Sequence, residues 1–237
     1  MDIHKPKPWH GVREFLKEYV IIVVGVLTAL GGEQIVERIH ERQVVAEARE
    51  NIRRELADDF VVFDKRKLVQ PCIVQRLDEV GALLKAAGRP GYKPPSWIGR
   101  PQMWDVQTTR WEAASQAGRT TLFGVDEQAH YSGVYTSLQS ARASEDREQQ
   151  AWAQLRALEN DPAPSPALVA TLKLALQQAR FQDWNIRVSL GQAEDDAGAL
   201  RLPEGRSNLI GSKSVCLPLQ TSRAEAARLV SPRWGEP

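Results

Sequence analysis

The chain is short of the residues on which most chemistry depends. It has two cysteines, two methionines and four histidines in 237 residues, and its 31 basic and 30 acidic side chains almost cancel. Each scarcity removes a class of function. A net charge of +1 gives no field for gathering nucleic acid or another polyanion. His4, His10, His40 and His130 are scattered, and no pair has the spacing of metal ligands. No G-x-S-x-G, no phosphate-binding glycine loop and no cysteine–histidine dyad occurs. The chain therefore reads as a non-enzyme, with no catalytic residue, cofactor or metal assigned.

Long apolar runs are also scarce, and the one present organises the rest. Tyr19 to Gly32 is fourteen residues without a charge, between Lys17-Glu18 and Glu33. As a helix this rises only about 21 Å, short of the ~30 Å hydrocarbon core. Phe15 and Leu16 on one side and Ile35 and Val36 on the other extend it to 22 residues, enough to cross with some tilt. Lys17 can snorkel and Tyr19 suits the interface. A transmembrane helix over 19–36 is the reading. A cleaved signal peptide ending near Ala29-Leu30-Gly31 and a buried helix of a soluble domain are the alternatives. Against cleavage, the helical periodicity runs through that site.

Orientation follows from the basic flanks. Residues 4–18 hold Lys5, Lys7, Arg13 and Lys17, against Arg38 and Arg42 in residues 33–47. That asymmetry favours a cytoplasmic tail (1–18) and an exported C-terminal domain, with Arg49, Arg53 and Arg54 narrowing the margin. The address is the bacterial inner membrane, single-pass, with the domain in the periplasm and the lipid bilayer as the first partner. Within the span Gly25, Thr28, Ala29 and Gly32 share one face, where small side chains let a second helix approach. Its partner would be another copy or a different membrane protein.

Beyond the span, apolar positions recur every three or four residues. From Ile35 through Ile39, Ile52 and Leu56 to Phe63 they predict a stalk helix over 37–70. Pro71 is expected to kink or restart it. A bundle domain over 71–202 follows, an antiparallel set of about four helices. Its helices are expected near 72–87, 101–117, 126–160 and 166–200, with an irregular tail over 203–237 and a short helix at 224–230. The hydrophilic stretch Ser144 to Gln150 is expected to project or face water. The class is all-α.

Two constellations leave alternatives open. Cys72 and Cys216 can close a long loop as a disulfide if the domain is exported, or stand as two separate buried thiols, and the second reading is preferred. Trp104 and Trp111, with Trp97 in the same seven-residue rhythm, read first as packing against the core and second as an aromatic wall for a flat or cationic ligand.

Glu18 to Gln34, followed by a charged helix, resembles the opening of uncharacterised bacterial single-pass membrane proteins with an E-x-apolar-V-V-G-V-L-x-A-L segment. Thr109 to Gly118, ahead of Tyr131 and Tyr135, is similar too. The resemblance implies one membrane helix and a helical soluble domain, and it brings no activity. Two functions are then expected in order. The first is a membrane-anchored interaction or assembly subunit, self-associating or partnered. The second is an extracytoplasmic bundle that senses a small ligand and acts through a partner.

Overall fold

The computed structural model describes residues 11–206 and 213–230. The first ten residues of the expected basic tail lie outside that range, as do parts of the expected irregular tail. Among the described residues every regular element is helical: α1 (Val12–Ala86), α2 (Thr109–Gln116), α3 (Val125–Leu155), α4 (Pro166–Ala197) and α5 (Arg223–Val230). Short 3-10 turns at Arg119–Leu122, Arg156–Leu158 and Ser214–Cys216 connect them.

The chain divides into two compact units, Met1–Ala48 and Arg49–Pro237. In the first, the apolar run of α1 is exposed: Ile21 is 71% and Ile22 64% accessible. This stretch is long and apolar enough to cross a membrane, by length and composition.

In the second unit α1 is no stalk. Ile52, Leu56 and Phe63 are buried, so the unit boundary falls at 48/49 and not at 70/71. Nor does Pro71 break the helix. Pro71 is exposed while Val69 and Ile73 on either side lie in the apolar core. The hydrogen bond lost at the proline is therefore lost toward water, and core packing holds the helix together. That core joins Ile73, Val80, Trp152, Leu155, Leu172 and Ala179 from α1, α3 and α4.

The helices are not a simple antiparallel set. Arg49 pairs with Glu127, Tyr135 bonds Glu55, and Arg66 pairs with Glu148, so α1 and α3 ascend together. Helix α4 runs against both, since Asp78 meets Arg180 while Lys67 meets Glu194. Parallel neighbours need a return crossing of the helix length. Residues 97–108 supply it as extended chain, so the helix that the sequence predicts over 101–117 is confined to Thr109–Gln116. Helix α4 starts at Pro166 as its sequence indicates, with the Ser165 hydroxyl accepting from the Leu168 N–H at 3.2 Å.

Candidate functional site

The return crossing raises a problem that its surroundings solve. An extended segment with no strand partner must still satisfy its backbone polar groups when buried. Here, buried side chains of α1 and α3 do so. Asp59 accepts the Gln107 N–H at 3.1 Å, and Glu55 accepts the N–H groups of Arg110 at 2.8 Å and Trp111 at 3.4 Å. Glu55 thus sits at the N-terminus of α2, where a carboxylate suits the helix dipole. Glu145 accepts the Trp104 N–H at 3.5 Å, and the Arg142 guanidinium donates to the Trp104 carbonyl at 2.8 Å. The Gln149 amide donates to the Pro101 carbonyl at 2.9 Å. At the far end Arg76 donates to the carbonyls of Trp97, Ile98 and Leu217. The segment is a strap laid between α1 and α3.

One position on the strap demands glycine. Gly99 has φ +69°, and a Cβ there would lie 2.6 Å from the Ser214 carbonyl oxygen. That close approach draws in the C-terminal segment, whose Ser214 carbonyl also accepts from Trp97 Nε1 at 3.0 Å. Cys72 and Cys216 form a disulfide beside it, with Cα atoms 5.0 Å apart, in place of the two separate thiols preferred from the sequence.

Below the strap lies a buried charge cluster. Arg66, 1% exposed, donates through both terminal nitrogens to Glu148, at 3.0 and 2.9 Å, and to Asp183 at 3.2 Å. Glu145 stands 4.0 Å away. Gln70 bonds Asp183 from α1, and Arg187 reaches it from α4. Burial pulls the Arg66 proton affinity down, but the three carboxylates outweigh it and leave its pKa raised. Burial pushes Glu145 up to about 7 against the pull of Arg66, and pushes Asp59 up to about 8 with Glu55 and Asp58 adding repulsion. Glu148 is raised for the same reason, loss of solvent. Asp59 Oδ2 and Glu145 Oε1 are buried without a hydrogen-bond partner. Chemically, the cluster binds protons and fixes three helices and a strap in register.

The expectation that Ser144 to Gln150 faces water holds for Asp146, Arg147 and Gln150 and is overturned for the other face of the helix. Ser144, Glu145 and Glu148 are 3%, 0% and 0% exposed. Their helical register offered the signal: Leu138, Ala141, Glu145, Glu148 and Trp152 continue one inward line at steps of three and four, as do Phe63, Arg66, Gln70 and Ile73 on α1.

The other sequence-selected residues are dispersed. Gly25, Thr28, Ala29 and Gly32 are exposed on α1, and added Cβ atoms at Gly25 and Gly32 would meet nothing within 4 Å. The Thr28 hydroxyl donates to the Val24 carbonyl at 2.7 Å. Trp104 and Trp111 meet different partners. Trp104 is buried with Lys65 5.9 Å from its ring, whereas Trp111 stacks on Tyr135 at 5.2 Å and leans on Tyr131 at 5.9 Å. Both belong to packing. No group of three or more His, Cys, Asp or Glu side chains suited to a metal occurs among the described residues. A surface recess of about 410 Å³ among Arg49, Arg53, Glu127, His130 and Arg201 is open to solvent, its cations matched in part by Glu127.

These features define a class: among the described residues, an all-helical fold with one exposed helix stretch of membrane-crossing length and a domain closed by a side-chain-bonded strap. No protein-family model matches the sequence, and no curated protein or solved structure is detectably similar to it.

Proposed function

We propose that the protein is a membrane-anchored, non-enzymatic interaction or assembly subunit. Residues 19–36 cross a bacterial inner membrane once, the preceding tail is cytoplasmic, and the helical domain stands in the periplasm. The observation that carries this reading is the apolar run itself: a helix stretch whose Val, Ile and Leu side chains, Val23 apart, are more than half exposed, such as Ile21, Ile22 and Leu27, is costly in water and stable in lipid. Two further facts support the orientation. Lys and Arg are denser before the run than after it, and a disulfide persists in an oxidising compartment. Association runs through the face bearing Gly25, Thr28, Ala29 and Gly32, with another copy or a membrane-protein partner.

The test is carbonate extraction of cell membranes followed by protease treatment of spheroplasts. The full chain is expected to remain in the washed pellet, with a domain-sized fragment cut only from the outside. Recovery in the carbonate supernatant would sink the anchor, and protection of the domain until lysis would reverse the orientation. Gly25→Leu should lower the detergent-solubilised mass toward that of one chain.

A further inference from the structure

The carboxyl groups that fasten the strap are not equally satisfied. Both oxygens of Glu55 have donors, the Tyr135 hydroxyl at 2.7 Å and the Trp111 N–H at 3.4 Å on Oε1, and the Arg110 N–H at 2.8 Å on Oε2. Glu148 is held through both oxygens by Arg66. Asp59 and Glu145 differ. Each gives one oxygen to a strap N–H, of Gln107 and of Trp104, and buries the other, Oδ2 and Oε1, with no hydrogen-bond partner. They are 2% and 0% exposed. A buried carboxylate with a bare oxygen is costly, and protonation relieves the charge. The strap lies against both acids, so lifting it admits water to them.

We propose that the strap is a proton-controlled latch, closed between α1 and α3 while Asp59 and Glu145 hold protons and opening locally over residues 101–108 as they lose them. The middle of the strap is separable from the rest. Among the described residues no backbone–backbone hydrogen bond ties 98–107 to another element. Met103, Asp105 and Gln107 are exposed, and only Pro101 and Trp104 of this stretch are buried. The apolar core of α1, α3 and α4 takes Ile98 from the strap and nothing from 101–108. A local opening therefore leaves that core packed.

The groups facing the two acids set the direction. Around Asp59 stand Glu55 and Asp58 of α1, Asp105 of the strap and the Tyr135 hydroxyl of α3. Around Glu145 stand Arg66 of α1 at 4.0 Å, Arg142 of α3 at 3.8 Å, Glu148 of α3, and Asp183 of α4 on the far side of Arg66. Lys65 lies over the Trp104 ring. Burial, with the acidic neighbours adding to it, pushes Asp59 up to about 8, and burial outweighs the two arginines to push Glu145 up to about 7. Once hydrated, both acids return toward about 4. The closed form thus binds the protons more tightly. Closure is fully favoured below about pH 4 and weakens by up to about tenfold per pH unit for each acid as pH rises to those values. The groove that Trp104 fills is covered in acid and uncovered more often near neutrality.

The experiment is hydrogen exchange of the full-length chain in detergent, corrected for the intrinsic rate. It is read at the Trp104 and Gln107 amides and at Leu172 to Ala179 of α4. Protection at the two strap amides should lie at least about tenfold below that of α4, and should fall at least about tenfold between pH 5.5 and 7.5. Equal protection in strap and α4 means that the strap moves only with global unfolding, and overturns the latch. Strap protection that is flat with pH overturns it too. The double variant Asp59→Asn/Glu145→Gln should lose the slope, and a slope equal to that of the parent removes the role of these two acids. Should that variant fail to fold, carboxyl-carbon NMR titration of the parent decides. Midpoints for both acids at about pH 6 or above support the latch, and a lower midpoint for either overturns it.

Discussion

Asp59 on α1 accepts the backbone N–H of Gln107 through one oxygen, while its second oxygen is buried with no hydrogen-bond partner. The pairing holds the strap to the first helix and makes Asp59 a proton-holding group. Burial has raised its pKa to about 8 in the folded state, against about 4 for an unfolded aspartate. The folded chain therefore binds the proton more tightly, and the contribution is fully present below about pH 4 and lost as pH rises to about 8. Glu145, at about 7, acts in the same direction. Asp59→Asn keeps the acceptor and removes the ionisation. It should stabilise the domain at pH 8.5 by about 1–3 kcal/mol and change it little at pH 4, as measured by urea melts at the two pH values.

Among the described residues Arg66 is the only cation within bonding distance of Glu148, and it also holds Asp183. Replacing it with methionine leaves three buried carboxylates facing one another. Arg66→Met should cost about 3–5 kcal/mol at pH 7, with part of the loss recovered at pH 5 as the acids take up protons. A urea midpoint equal to that of the parent at pH 7 would contradict the role given to the cluster.

The disulfide spans 144 positions of sequence. Closing a loop of that length restricts the unfolded chain by about 4–5 kcal/mol in the chain-entropy description. Cys72→Ser and Cys72→Ser/Cys216→Ser should therefore lower the thermal midpoint by similar amounts, and a strong reductant should reproduce the shift in the parent but not in the variants. Differential scanning fluorimetry with and without reductant reads this directly.

Gly99 carries a positive φ and touches the Ser214 carbonyl. Gly99→Ala must displace either the strap or the C-terminal segment, and should destabilise by about 2 kcal/mol or more. Hydrogen exchange should rise at Trp97 and Cys216 first, before the α1–α4 core opens.

Much of the architecture was legible because it follows from local rules. The apolar run of α1, the helix start at Ser165-Pro166 and the inward apolar lines of α3 and α4 are consequences of hydropathy, capping and a 3.6-residue period, all properties of short windows. The candidate site was not legible in the same way. Glu55, Asp59, Arg66, Glu145, Glu148 and Asp183 look like ordinary surface charges one at a time, and only their helical register hints otherwise. Pro71 misled for a related reason: a proline predicts a break from its own lost hydrogen bond, while distant packing partners decide whether the helix survives.

The sequence by itself determined that the chain is helical, where its one lipid-length segment lies and which residues can start or cross a helix, because these depend on neighbours within a few positions. The tertiary structure alone decided that α1 and α3 run parallel, that residues 97–108 return between them as a strap, and that Cys72 reaches Cys216. Those outcomes depend on which buried groups can meet across 48 to 144 positions of chain, as Asp59 with Gln107, Arg66 with Glu148 and Asp183, and Cys72 with Cys216 do, and no short window of sequence contains both partners.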